Sequence, residues 1–209
     1  LSGILNGVDY EVWNPRTDPL IERRYSAENL AGKRACKAAL RKRLGLPATG
    51  APLFGMVTRL YWQKGIDLLM GALDAIMARG IQLAVLGSGE PYYEELLTEK
   101  AKVFTGQMRL LLQYDAALSH QIEAGSDFFL MPSHFEPCGL SQMYSLAYGT
   151  VPIVRQTGGL ADTVRDITPA NLRKGIANGI VFREAAPEAL QEAVERALAL
   201  YSTPETLRR

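Results

Sequence analysis

Arg59 and Lys64 lie on one short polar stretch, Thr58-Arg59-Leu60-Tyr61-Trp62-Gln63-Lys64-Gly65, between an apolar run and a helical one. An arginine forks onto phosphate oxygens and a lysine acts as a mobile point charge, so the pair is suited to an anion. Taken alone, the segment reads equally as two solvent-exposed cations. In Ser133-His134-Phe135-Glu136-Pro137-Cys138-Gly139-Leu140, one carboxylate is flanked by an aromatic and a proline that fix its direction. Gly139 and the N–H groups after it open a helix, where a sugar hydroxyl or phosphate can be gripped. A second turn of this kind is Thr157-Gly158-Gly159, with Asp162 in the first turn of the helix that follows.

Two further segments are weaker. Gly87-Ser88-Gly89-Glu90-Pro91 could present N–H groups to an anion, but it lacks the full Gly-x-Gly-x-x-Gly fingerprint and reads equally as a tight strand–helix turn. Tyr114 follows a strand and could stack on a base, or be an ordinary rim or core tyrosine. Cys138 is a poor candidate nucleophile, since neither histidine is free to serve as its base. No P-loop, Ser-His-Asp order or zinc spacing competes. A cation pair, one rigid carboxylate and two glycine turns at helix starts suit a diphosphate-linked substrate better than a nicotinamide. The two cations would neutralise a phosphate-bearing leaving group, so the expected site needs no metal.

These residues need a scaffold, and the chain is long enough to supply one. At 209 residues it can bury roughly 70% of its unfolded surface as a single domain. With 47% hydrophobic and 22% charged residues, it excludes disordered, collagen-like and coiled-coil classes. The net charge of +1 offers no field for nucleic acid or an anionic membrane, so an anion must be caught locally. Cys36 and Cys138 are too few for a disulfide framework, and His120 and His134 alone make no metal cage. No apolar run approaches the ~20 residues of a membrane span. Leu1-Ser2-Gly3-Ile4 has neither an initiator Met nor a basic leader, which suggests a piece of a longer protein. The expected compartment is the cytoplasm, or a plastid stroma after removal of a transit peptide.

From residue 51 onward, strand-like apolar runs alternate with helical stretches. The strands are expected at 53–58, 82–87, 109–113, 127–131, 151–155 and 179–182. The helices are expected at 66–79, 91–104, 116–124, 140–148, 160–166 and 187–201. Continuous apolar strands imply burial on both faces, hence a parallel sheet covered by helices. The fold class is therefore α/β, a Rossmann-like doubly wound sheet with ligands at the carboxyl ends of its strands. Before it, residues 27–44 read as a basic helix whose cations Lys33, Arg34, Lys37, Arg41, Lys42 and Arg43 form a solvated face.

At these same residues the chain resembles the C-terminal half of the bacterial glycogen synthase and plant starch synthase family, retaining glucosyltransferases of GT-B architecture. The resemblance is carried by Leu5-Asn6-Gly7-Val8-Asp9 with Trp13-Asn14-Pro15, the Arg59…Gln63-Lys64-Gly65 turn, the Ser133–Leu140 string, and Thr157-Gly158-Gly159-Leu160-Ala161-Asp162-Thr163-Val164. It implies ADP-glucose as donor, the non-reducing end of an α-1,4-glucan as acceptor, and no separate cofactor. It implies that Arg59 and Lys64 bind the diphosphate and that Glu136 supports charge at the anomeric carbon. Backbone N–H groups at Cys138, Gly139 and Leu140 would hold glucose hydroxyls, and the Thr157-Gly158 turn would touch phosphate. Tyr114 would stack on adenine and Asn6 would face the sugar. Many retaining GT-B enzymes carry a second glutamate eight residues after the first, where this chain has Tyr144. That fits the synthase group and disfavours a sucrose- or trehalose-type enzyme. The family's Lys-x-Gly-Gly-Leu donor loop has no counterpart in the chain, so an N-terminal domain of the same enzyme is the expected partner across the cleft.

Overall fold

Why residues 51 onward form a two-sided layer is visible in β4 (Phe128–Met131), where every residue is buried. Successive side chains of a strand point to opposite faces. Phe128 and Leu130 therefore enter one core cluster, and Phe129 and Met131 the other. Truncating either fully buried phenylalanine would cost about 3–5 kcal/mol. A computed structural model describes residues 6–203. Residues 1–4, whose composition suggested a longer parent, and Leu5 of the first motif lie outside the described residues.

In chain order the elements are α1 (Ala31–Leu44), β1 (Leu53–Val57), a 3-10 turn (Trp62–Lys64), α2 (Ile66–Met77), β2 (Gln82–Leu86) and α3 (Pro91–Val103). There follow β3 (Met108–Leu111), α4 (Ala116–Gly125), β4, α5 (Ser141–Ala147), β5 (Val151–Arg155) and α6 (Gly158–Thr163). The chain ends with α7 (Pro169–Lys174), β6 (Ile180–Phe182) and α8 (Pro187–Tyr201). The six strands form one sheet in the order β3-β2-β1-β4-β5-β6, with every pairing parallel. One face packs on α2, α3 and α8, the other on α1, α4 and α6. Strand order reverses between β1 and β4, and an open parallel sheet opens its crevice at such a point.

All six expected strands form, with ends shifted by a residue or two. Two helical expectations need correction, and one helix is additional. The basic helix begins at Ala31, because Ser26 and Asn29 bridge into a turn and the Asn29 Oδ1 accepts from the Ala31 N–H at 3.1 Å. The helix expected to run to 166 stops at Thr163, because Asp166 leaves to bridge Gly179 and to pair with Arg196 at 2.6 Å. A helix not anticipated, α7, starts on a Thr168 cap with Pro169 in its first turn and ends at Gly175.

The charge run of α1 is a solvated face only in part. Lys33, Lys37 and Arg41 recur every fourth residue and turn inward together. Lys33 Nζ donates to the Ala124 and Tyr148 carbonyls and to Thr150 Oγ1, at 3.2, 3.0 and 2.7 Å. Burial lowers its pKa to about 8. Lys37 pairs with Asp127 at 2.6 Å, and Arg41 donates to Gln82 Oε1 at 2.7 Å. This inward stripe ties α1 to the ends of α4 and of the strands, while Arg34 and Lys42 face solvent.

Candidate functional site

The loops leaving β1 and β4 meet over the strand reversal. Gly65 makes the approach possible: its φ is +73°, and a Cβ there would lie 2.0 Å from the Pro132 carbonyl oxygen. The His134 N–H then donates to the Gln63 carbonyl at 2.9 Å, and Gln63 Nε2 donates to the Phe135 carbonyl at 3.1 Å. From the far side, Arg155 Nε donates to the Ser133 carbonyl at 2.8 Å and its Nη2 to the His134 carbonyl. The loop bearing Glu136 is thus clamped from two neighbouring strands.

Lys64 Nζ donates to Glu136 Oε2 at 2.6 Å, with 18% and 10% of the two side chains exposed. Breaking a deeply buried pair costs about 3–5 kcal/mol; this pair opens onto a cleft, so its loss costs less. A recess of about 340 Å³ adjoins it, lined by Asn6, Thr58, Lys64, Glu136 and the Cys138–Ser141 turn. Gln142 Nε2 donates to the Cys138 and Gly139 carbonyls at 3.1 and 3.0 Å and holds that turn. Among the described residues, the N–H groups of Cys138, Gly139 and Leu140 have no protein acceptor. Three unpaired donors in residues that line the recess, beside a cation and a carboxylate, can hold sugar hydroxyls or anionic oxygens.

A second recess of about 330 Å³ shares the Val57, Thr58 and Ser141 walls of the first. Arg59, Tyr114, Trp13, Tyr144 and Glu123 line it as well. Arg59 is exposed, with its guanidinium 5.6 Å from the Tyr61 ring centre. Tyr114 is 93% exposed, so its ring stands free at the lip.

Thr157 and Gly158 lie outside the residues lining both recesses. The Thr157 N–H donates to the Arg155 carbonyl at 2.9 Å. Here the turn works on the loop above it: the Gly159 N–H donates to the Glu136 carbonyl at 3.0 Å. A Cβ on Gly159 would lie 2.0 Å from the Cys138 carbonyl oxygen, so only glycine allows this contact.

Sequence reasoning missed what supports the second recess. Trp13 is sandwiched between His120 and Tyr144, at centroid distances of 3.8 and 3.9 Å. Buried Asp18 fixes the stack, accepting from His120 Nδ1 at 2.7 Å, from the Leu20 N–H at 2.7 Å and from the Tyr148 hydroxyl. Burial first, and Asp18 second, push the Tyr148 phenol far above its usual range. Trp62 stacks on His134 at 4.2 Å, and His134 Nε2 meets Asp67 at 2.9 Å. Among the described residues, no group of three His, Cys, Asp or Glu side chains could hold a metal ion, and no helix is long and apolar enough to cross a membrane.

A parallel sheet in this strand order, with its cleft at the reversal, is the Rossmann-like C-terminal half of the GT-B glycosyltransferase architecture. Residues 38–209 match the glycosyl transferases group 1 family, and the chain belongs to it. The glycogen synthase of Thioalkalivibrio sulfidiphilus is 53% identical over 211 residues, an alignment covering 100% of this chain and 44% of the relative. That of Marinobacter nauticus is 52% identical, covering 100% of this chain and 42% of its own length. The catalytic domain of starch synthase IV from Arabidopsis thaliana, solved bound to ADP and acarbose, superposes with a TM-score of 0.93 at 42% identity. That match covers 99% of this chain and 43% of the other. The chain therefore spans less than half the length of these relatives.

Proposed function

We propose that this chain is the nucleotide-sugar half of a glycogen or starch synthase, which transfers glucose with retention from ADP-glucose to the non-reducing end of an α-1,4-glucan. The Lys64–Glu136 pair at the head of a cleft floored by three unused N–H groups carries the reading. The names of the relatives, and the ADP in the starch synthase IV structure, supply the nucleotide and the glucan.

In this reading Arg59 and Lys64 hold the diphosphate. Lys64, paired with Glu136 at 2.6 Å, directs its charge toward the phosphate as the bond to the anomeric carbon breaks. The Glu136 carboxylate then faces the positive charge developing on the sugar. Asn6 and the Cys138–Leu140 N–H groups orient the glucosyl unit, and Tyr114 covers the adenine. Thr157 and Gly158 shape the turn from which the Gly159 N–H holds the Glu136 loop. Residues 1–209 form one domain. An N-terminal domain of the same enzyme supplies the facing wall of the cleft and the acceptor side, in the cytoplasm or a plastid stroma.

The test is transfer of labelled glucose to glycogen by the full-length enzyme. ADP-glucose should outcompete UDP-glucose, and Glu136→Gln should lower turnover at least ~100-fold, the scale of losing one electrostatic stabiliser. Equal use of both donors, or full activity in Glu136→Gln, would overturn the proposal.

A further inference from the structure

Glu123, near the end of α4, is 2% exposed, yet it forms part of the wall of the second recess. Its Oε2 lies 2.7 Å from Ser145 Oγ, and that hydroxyl also lies 2.9 Å from the Ser141 carbonyl. A serine has one proton and cannot donate fully to both. A proton on Glu123 resolves the conflict: Glu123 donates to Ser145, and Ser145 donates to Ser141. Burial favours the same state. It pushes the carboxyl up to about 8, against the opposing pull of the Ser145 hydrogen bond and the Lys33 charge. Lys33 itself is occupied by two carbonyls and Thr150, and makes no ion pair with Glu123. The other carboxyl oxygen, Oε1, accepts from no group among the described residues. In the wall of a cleft, a ligand can supply the donor that this oxygen lacks.

We propose that Glu123 is a nucleoside-recognising residue, whose free carboxyl oxygen accepts a hydrogen bond from the nucleoside of the nucleotide bound in the second recess. The inference rests on the nucleotide reading above and goes further, because it assigns a contact within the nucleoside itself. A diphosphate held between Arg59 and Lys64 leaves its nucleoside in the second recess, below Tyr114 at the lip. ADP offers two kinds of donor there, the ribose hydroxyls and the exocyclic amine of adenine. A neutral carboxyl that already donates to Ser145 can receive either without bringing a second negative charge near the phosphates.

The experiment is calorimetric titration of the full-length protein with ADP, 2′-deoxy-ADP, 3′-deoxy-ADP and inosine diphosphate, which lacks the amine. Glu123→Gln keeps an acceptor oxygen and a donor toward Ser145, so its affinity for ADP should stay within about threefold of wild type. Glu123→Met keeps the length and removes both oxygens, and should weaken ADP binding about tenfold, the scale of one lost hydrogen bond. Wild type should discriminate against one analogue by a similar factor, and Glu123→Met should lose that discrimination. Loss for a deoxy analogue identifies a ribose hydroxyl; loss for inosine diphosphate identifies the amine. Equal affinity of wild type for all four nucleotides, or discrimination that survives in Glu123→Met, would overturn the inference. Absence of ADP binding in wild type would instead overturn the nucleotide reading.

Discussion

Replacing Gly159 by alanine should damage the cleft although Gly159 lines neither recess. The added methyl would sit 2.0 Å from the Cys138 carbonyl oxygen and 2.5 Å from its carbonyl carbon and Cα. Ordinary van der Waals contact begins at 3.4 Å, so backbone must move by about 1.4 Å. Displacement of that size in a packed region costs about 1–3 kcal/mol. It also breaks the Gly159 N–H bond to the Glu136 carbonyl, worth about 1 kcal/mol. The expected destabilisation is about 2–4 kcal/mol. Because the moving segment carries Glu136 and Cys138, transfer should fall about 100-fold, the usual effect of a 1 Å misplacement at a reacting centre. Gly50→Ala is the control, since a Cβ there meets nothing within 4 Å. Urea unfolding and glucose transfer by the full-length enzyme give the two readouts. A Gly159→Ala protein within about 0.5 kcal/mol of wild type and fully active would refute the claim that this turn positions the Glu136 loop.

Asp18→Ala removes a buried carboxylate that three donors share, and should cost about 3–5 kcal/mol in urea unfolding. It should also release the Trp13 stack, which the fluorescence of Trp13 in a Trp62→Phe background would report. Glu123 gives stability a defined pH dependence. Its carboxyl is raised from 4.5 to about 8 by burial, so across that window the folded state keeps a proton that the unfolded chain has lost. Stability should therefore fall as pH rises from 4.5 to 8, with a slope of up to about 1.4 kcal/mol per pH unit from this group. Lys33, lowered to about 8, acts oppositely between pH 8 and 10.5, where only the unfolded chain keeps the proton. Urea midpoints at pH 5 and 7.5 should show the fall in wild type and a flatter response in Glu123→Gln.

Much of the fold was legible because a parallel strand buried on both faces leaves a continuous apolar run, as in Phe128-Phe129-Leu130-Met131. That Lys64 and Glu136 lie at the same edge of the sheet was legible too, since both follow parallel strands; their direct ion pair was not. The inward turn of Lys33, Lys37 and Arg41 was not. Their partners are mostly carbonyls and side chains of distant elements, and a basic run with the same spacing describes a solvated helix equally well. The Asp18–His120–Tyr148 cluster joins residues 102 and 130 positions apart, and no local pattern marks such a contact. Thr157-Gly158-Gly159 was legible as a tight turn, but whether its N–H groups face a ligand or a neighbouring loop depends on packing that the turn residues do not encode. The α7 signals, Thr168-Pro169 and Gly175, were in plain view, and only the brevity of that helix hid it.

The central claim is that Arg59 and Lys64 catch a nucleoside diphosphate at the reversal of the sheet. Calorimetric titration of ADP into the full-length enzyme, repeated with Arg59→Ala and Lys64→Ala, tests it most directly. The account predicts saturable binding by wild type and at least about tenfold weaker binding by each variant, the loss of roughly one charge-assisted hydrogen bond. Binding of equal strength in all three proteins would contradict it.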